Sequence, residues 1–478
     1  MNCHLLRFLT LIVLCQLLGG PTVSRAQESG TRWEQPVVLF DAGQAAKVFN
    51  PLVVEDTQGR IKVLWETITA GVANPGDLTN GIYCIDGDGE TWSSAIDVIA
   101  SQGGGRIWPR HAMDAYGRLH LIWLGPGARL YYSRVLSAEA CDTRRWETIA
   151  LPVSDQALNA DIFIDDRDIL HVVYAALGRD VYYLRSLDDG LSWTEPVAVS
   201  AVQPTVATSF PSLAVDSEGR IHVAWEQNQL PDGVPSLGLF YASSQDEGAT
   251  WSPPVLFSQP EGGYTQPRVV ALPDGTVHLL WNARIGTRGR YHQWSTDGGA
   301  TWSSINEFVP KSMGGGQTGP PGVALDSAGK LHVVTGTDET TYAAWQEQRW
   351  LPAYDIASYQ TFGNMEDQNI GVARGRELYV VANANLQKII LIRGLTDAPE
   401  TPLQFTALPA RPQEASPTTA TPRATPTAQP GAPAPTLPPE LASPPPQASS
   451  LAPVLLSSGL AFLVVAAVVA VALGRRRL

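Results

Sequence analysis

Between residues 31 and 398 the chain is built of short apolar runs, each broken by a tight polar turn. Pro211, Ser212, Leu213, Ala214 and Val215 lead into a turn holding Asp216 and Gly219, and Ile221, His222, Val223, Ala224 and Trp225 follow. Residues 267–281 repeat this order, with Gly275, His278 and Trp281 in the matching places. Residues 109–123 and 321–335 repeat it again, the latter with Thr335 for Trp, and weaker copies lie at 51–65, 160–174 and 370–382. Each copy predicts strand, turn, strand. The second run is apolar on both faces, as expected of a sheet sandwiched between two others.

A second motif follows the copies. It reads Ser186, Asp188, Gly190, Ser192, Trp193; then Ser244, Asp246, Gly248, Thr250, Trp251; then Ser295, Asp297, Gly299, Thr301, Trp302. Asp86, Asp88, Gly89, Thr91 and Trp92 form a variant, and the Trp alone survives at Trp146 and Trp350. Ser and Asp side chains satisfy turn backbone, Gly takes positive φ, and the Trp is expected to be buried between sheets. An apolar strand follows each Trp, so a unit holds four strands, A to D. Four-stranded sheets stacked radially make a β-propeller. Counting D strands from Trp33, Trp92, Trp146, Trp193, Trp251, Trp302 and Trp350 predicts an all-β fold of seven blades, with six blades plus flanking strands as the alternative. The chain begins with a lone D strand and ends on a unit lacking one. Residues 31–43 are therefore expected to close the ring against the strand near 388–392.

The ends carry other signals. Residues 1–26 hold Arg7, an apolar run at 9–18 and small residues before Ala26, which predicts a secretory signal peptide. Residues 27–398 form the propeller. Residues 399–450, with 15 Pro, predict a disordered Pro/Thr/Ser/Ala-rich stalk. Residues 451–473 carry no charge and precede Arg475, Arg476 and Arg477, which predicts one membrane helix and a short basic cytoplasmic tail at 474–478. The propeller is thus expected outside the cell, as a monomeric ectodomain on a single-pass anchor. The net charge of -13 argues against nucleic-acid binding. With 4 Cys in the whole chain, no Cys-rich metal site is expected, nor any cofactor. Cys84 and Cys141 are the cysteines left after the signal peptide, and a disulfide between them is plausible in a secreted protein.

The Ser-x-Asp-x-Gly-x-Thr-Trp runs resemble the Asp-box (BNR) repeats of the sialidase superfamily. The resemblance implies a propeller with its boxes on the periphery, away from the chemistry. Sialidases bind the substrate carboxylate with three Arg, one from a Phe/Tyr-Arg-Ile-Pro run. They also use a Tyr nucleophile with a Glu partner and an Asp acid/base. Here the corresponding run, Val48, Phe49, Asn50, Pro51, has no Arg; the nearest substitute is Arg106, Ile107, Trp108, Pro109. No catalytic residue is assigned.

His120, His171, His222, His278 and His332 share one repeat position and read as structural. Strand direction places the D–A and B–C loops together on one face, opposite the A–B turns and boxes. The ligand candidates on that face are Arg106, Trp108, Arg110, His111, Arg268 and Glu226. Arg forks suit carboxylates and sugar hydroxyls. Glu66, Asp77, Glu366 and Asp367 are further acids there. The expected function is binding of a carbohydrate or surface-protein ligand. The alternatives are an active exo-sialidase or other glycoside hydrolase, and a structural, envelope-assembly propeller.

Overall fold

The computed structural model describes residues 30–70, 78–102, 106–153, 155–230, 236–258, 264–283, 289–310, 319–336 and 339–406. The expected signal peptide, most of the stalk, the membrane span, the tail, Asp77 and Gly103, Gly104 and Gly105 lie outside these residues. Among the described residues no helix is long and apolar enough to cross a membrane.

Seven antiparallel sheets account for the described strands. The first six are each formed by consecutive stretches of chain, at 46–102, 110–150, 157–198, 206–256, 264–309 and 322–357. The seventh combines Met365–Ala373, Glu377–Ala384 and Lys388–Leu395 with Arg32–Trp33 and Val37–Asp41 from the other end of the chain. Val37 pairs with Leu391 and Asp41 with Lys388, so the ring closes through hydrogen bonds between the expected segments. The count is seven, not six.

Strand B of each blade is the apolar centre. Ile221–Gln229 and Val277–Ala283 are almost wholly buried, and Trp65, Trp225 and Trp281 are 0% exposed. The repeated His makes the same cross-strand contact in four blades. His120 Nδ1 lies 2.6 Å from the Tyr132 hydroxyl, and His171, His222 and His332 meet Tyr183, Tyr241 and Tyr342 at 2.8, 2.6 and 2.8 Å. Asp216 and Asp326 sit on the other ring nitrogen of their His, at 3.1 and 3.0 Å. Asp114, His120 and Asp189 come close enough to suggest a metal cluster. However, Arg118 and Arg134 already pair with Asp189, so the cluster is a structural ion network.

In the fifth blade a His replaces the Tyr, and His278 Nδ1 and His292 Nε2 are 2.8 Å apart. Burial pushes His278 down to about 4 and His292 well below its usual value, with each nearby charge secondary. Both are therefore neutral in the fold, while the unfolded chain binds protons below about pH 6.5. Stability contributed by these neutral rings is present above that value and is lost as pH falls toward 4. His292→Tyr supplies the residue that four other blades carry at this position. We expect it to narrow the drop in melting temperature between pH 7 and pH 4.5. An identical pH dependence in the variant would contradict this linkage.

The boxes form as the sequence indicates. Gly190 N–H donates to Ser186 Oγ at 2.8 Å, and Ser192 N–H donates to Asp188 Oδ1 at 2.8 Å. The same bonds recur from Gly248 and Thr250 to Ser244 and Asp246, and from Gly299 and Thr301 to Ser295 and Asp297. The Thr301 hydroxyl, then the Thr301 N–H and the Ser295 hydroxyl, hold Asp297 down to about 2. Gly190 (φ 81) lies so close over Tyr132 that a Cβ there would run into the ring. The box Trp residues differ from expectation. Trp193, Trp251 and Trp302 are only half-buried, set edge-on against Tyr132, Tyr183 and Tyr241 of the preceding blade at 5.2, 5.4 and 5.1 Å. They seal the outside of each seam rather than its core. Cys84 and Cys141 are joined, with Cα atoms 5.2 Å apart, and tie the first blade to the second.

Beyond the last strand the chain stays on the propeller. Thr401 N–H donates to the Arg374 carbonyl and Thr406 N–H to the Ala115 carbonyl, each at 2.8 Å. Residues 396–406 thus cross the A–B turns, the face away from the start of each strand A.

Candidate functional site

Strand A enters its blade through a bulge. The pairing with strand B slips between Phe49 and Leu52, Ser209 and Ser212, Thr265 and Arg268, and Glu366 and Asn369. The extra residue takes positive φ: Asn50 at 45°, Phe210 at 48°, Gln266 at 55° and Asp367 at 53°, with Trp108 at 49° in the matching place. A bulge re-aims the side chains that follow it. The last residues of strand B hold the bulges. Glu66 is buried and accepts Asn50 Nδ2–H and Ile107 N–H, both at 2.9 Å. Asn383 Nδ2–H donates to Asp367 at 3.0 Å, and Asn282 Nδ2–H to Gln266 at 3.1 Å.

Just past the bulges, one residue from each strand A stands at a common level. Pairing registers equate Arg110, Asp161 and Arg268, which oppose Ile122, Val173 and Leu280. These residues surround a pit on the propeller axis with a volume of about 180 Å³. His111, Asn50, Asp367 and Asn369 share its wall.

The charges are unevenly matched. Arg268 Nη1 lies 3.5 Å from Asp161 Oδ2, and its buried Nε–H has no partner among the described residues. Arg110 donates to the Pro109 carbonyl at 3.2 Å and has no carboxylate within ion-pair reach among them. Burial pulls the Arg110 guanidinium below its usual value, with Asp161 opposing. Burial, then Arg268 and Arg110, push His111 down to about 4, so it is a neutral imidazole at pH 7. Asp367 is raised by burial, opposed by Arg106, the Asn50 N–H, Arg110 and Asn383. Burial also raises Glu366. The pit thus brings together two guanidiniums, the Asp161 and Asp367 carboxyl groups and a neutral imidazole, with Arg110 lacking a carboxylate within ion-pair reach among the described residues. Such a lining can hydrogen-bond a polar ligand, and its guanidinium forks suit an anionic group.

Of the six candidates from the sequence, Arg110, His111 and Arg268 meet in the pit. Arg106 does not line it. Its Nε is 3.3 Å from Glu66, its guanidinium lies 3.6 Å over the Phe49 ring and 4.4 Å from that of Trp108, and it approaches Asp367 at 3.9 Å. Trp108 is half-buried edge-on to Phe210, at 6.2 Å. Glu226 is buried away from the pit and accepts the Thr265 hydroxyl at 2.5 Å. Asp161 was missed, although its place in strand A, aligned with Arg110 and Arg268, marks it.

A model of the BNR repeat-like domain matches residues 22–279 and 178–341, more than half of the chain. Among solved structures, the BP39L lectin from Burkholderia pseudomallei superposes with a TM-score of 0.51 at 13% identity, over 77% of this chain and 100% of the lectin. A PL25 ulvan lyase bound to -[GlcA(1-4)Rha3S]- gives 0.50 at 12% identity, over 75% and 95%. At these identities the likeness is one of fold. No curated protein matches the chain.

Proposed function

We propose that this chain, which belongs to the BNR repeat-like domain family, binds an acidic glycan in its axial pit. The observation that carries the reading is Arg110, a half-buried guanidinium facing the pit with no carboxylate partner among the described residues. A carboxylate or sulfate on a sugar would complete it. Arg268 would add a second fork, and neutral His111 would serve a hydroxyl as donor or acceptor. Propellers of this shape act on carbohydrate in the lectin and the lyase, which makes a saccharide the natural ligand class.

Binding is favoured over sialidase chemistry by the lining itself. Among the described residues the pit holds two Arg, and no Tyr that could act as nucleophile. The reading places the protein on the cell surface, anchored by residues 451–473.

A glycan array probed with the full-length protein, run beside a fluorogenic glycoside screen, tests this. We expect retention on sialylated, uronate-containing or sulfated glycans and no turnover. Retention indifferent to Arg110→Ala, or sialoside hydrolysis, would sink the reading.

A further inference from the structure

The seam between the fifth and sixth blades departs from the others. Strand pairing puts Trp345 opposite Leu331, the place that Ser186, Ser244 and Ser295 hold in the boxes. The sixth blade thus has Trp where its predecessors begin an Asp box. Its C–D turn runs from 345 to the D-strand Trp350, against 186 to Trp193 in the third blade. Glu347 and Gln348, at φ 52 and 57°, make that shorter turn.

Losing the box changes what faces the seam. At two earlier seams a strand-C Arg reaches a box acid: Arg134 to Asp189 at 2.5 Å, and Arg185 to Glu247 at 2.7 Å. The equivalent strand-C residue of the fifth blade is Trp294, opposite His278. With no box acid before it, Trp294 packs on Trp345 at 4.9 Å. A groove of about 490 Å³ remains, lined by Trp294, Trp345, Trp350 and Phe308; Trp345 and Phe308 are buried, so its accessible aromatic surface belongs to the half-buried Trp294 and Trp350. Phe308 stacks on Trp350 at 4.2 Å, and the Trp350 N–H is taken by His292. Asn306 and Arg349 stand exposed at its edge and make no side-chain hydrogen bond among the described residues.

We propose that this groove is a second carbohydrate site, separate from the axial pit, for a neutral hexopyranose unit. A pyranose offers an apolar C–H face to the accessible parts of Trp294 and Trp350 and a rim of hydroxyls to amide and guanidinium donors. That pairing is what the groove presents. The groove lies between strands C and D of adjacent blades, whereas the pit is built from the starts of strands A. The proposal therefore does not rest on the pit reading.

The test is titration of the full-length protein with lactose, cellotetraose and chitotetraose, followed by calorimetry and tryptophan fluorescence. At least one of these is expected to bind and to change the fluorescence. Trp294→Ala should weaken that binding at least ~10-fold, as for an aromatic anchor. Asn306→Ala combined with Arg349→Ala should weaken it at least ~3-fold, since each removes one exposed donor. That variant changes only exposed side chains, so its fold and melting temperature should hold. Arg110→Ala combined with Arg268→Ala should leave the binding unchanged. The proposal is overturned if none of the three probes binds, if the groove variants bind like the parent, or if the Arg variant abolishes the binding.

Discussion

Deleting residues 30–43 should leave a protein that aggregates instead of folding to a monomer. The deletion removes Arg32–Trp33 and Val37–Asp41, the outer strands of the seventh blade, and bares the edge of Lys388–Leu395. An unpaired edge of this length invites pairing with another copy. Packing is lost at two seams as well. Trp33 lies edge-on to Tyr342 at 5.0 Å and donates to the Tyr354 hydroxyl at 3.0 Å; Phe40 lies 5.0 Å from Trp65. Both rings are half-buried, so each loss should fall below the about 3 to 5 kcal/mol of a fully buried aromatic, and together with the lost strand pairing they remain a large share of an ordinary domain's stability of about 5 to 15 kcal/mol. Size-exclusion chromatography and thermal melting of the deleted protein decide the matter. A monomer with the parent melting temperature would refute closure by this strand.

Trp225→Ala should be among the most damaging single substitutions. The ring is 0% exposed, stacks on Phe240 at 6.3 Å, and packs within the cluster that joins the third and fourth blades. The expected loss is about 3 to 5 kcal/mol. Trp225→Phe should cost less, because it keeps an aromatic ring in the slot and gives up an indole N–H that has no partner among the described residues. Trp251→Ala should also cost less, since that ring is half-buried at the outside of a seam. Denaturant melts of the three variants give the order. Equal losses from Trp225→Ala and Trp251→Ala would contradict the division between core and seam.

The propeller was legible because its constraints repeat. Each strand B must bury both faces, and each box must satisfy its own turn, so both leave a period in the sequence. The partners across a repeat were less visible. The five His recur plainly, but Tyr132, Tyr183, Tyr241 and Tyr342, which bond four of them, became meaningful only through register. The site was legible in part. Arg110 and Arg268 occupy one repeat position, and that position turned out to face the axis. Asp161 shares it but lies in a weak copy, where Ala160 stands in the place that Pro51, Pro109, Pro211, Pro267 and Pro321 hold in five other blades. Trp108 misled for the opposite reason. It is an unrepeated Trp, yet its backbone fills the bulge slot that Asn50, Phe210, Gln266 and Asp367 fill in other blades. Residue type suggested a special role there, while backbone geometry explains the place.

The central claim is that Arg110 and Arg268 recognise an acidic group on a sugar. Calorimetric titration of the full-length protein with oligogalacturonate and with 3′-sialyllactose, each beside its carboxyl-reduced form, tests it most directly. An acidic form should bind, and its reduced form should bind roughly 10- to 150-fold more weakly, the loss expected for one charge-assisted hydrogen bond. In the variant combining Arg110→Ala with Arg268→Ala, that preference should vanish. Equal binding of the acidic and reduced forms by the parent protein, or an undiminished preference in the variant, would contradict it.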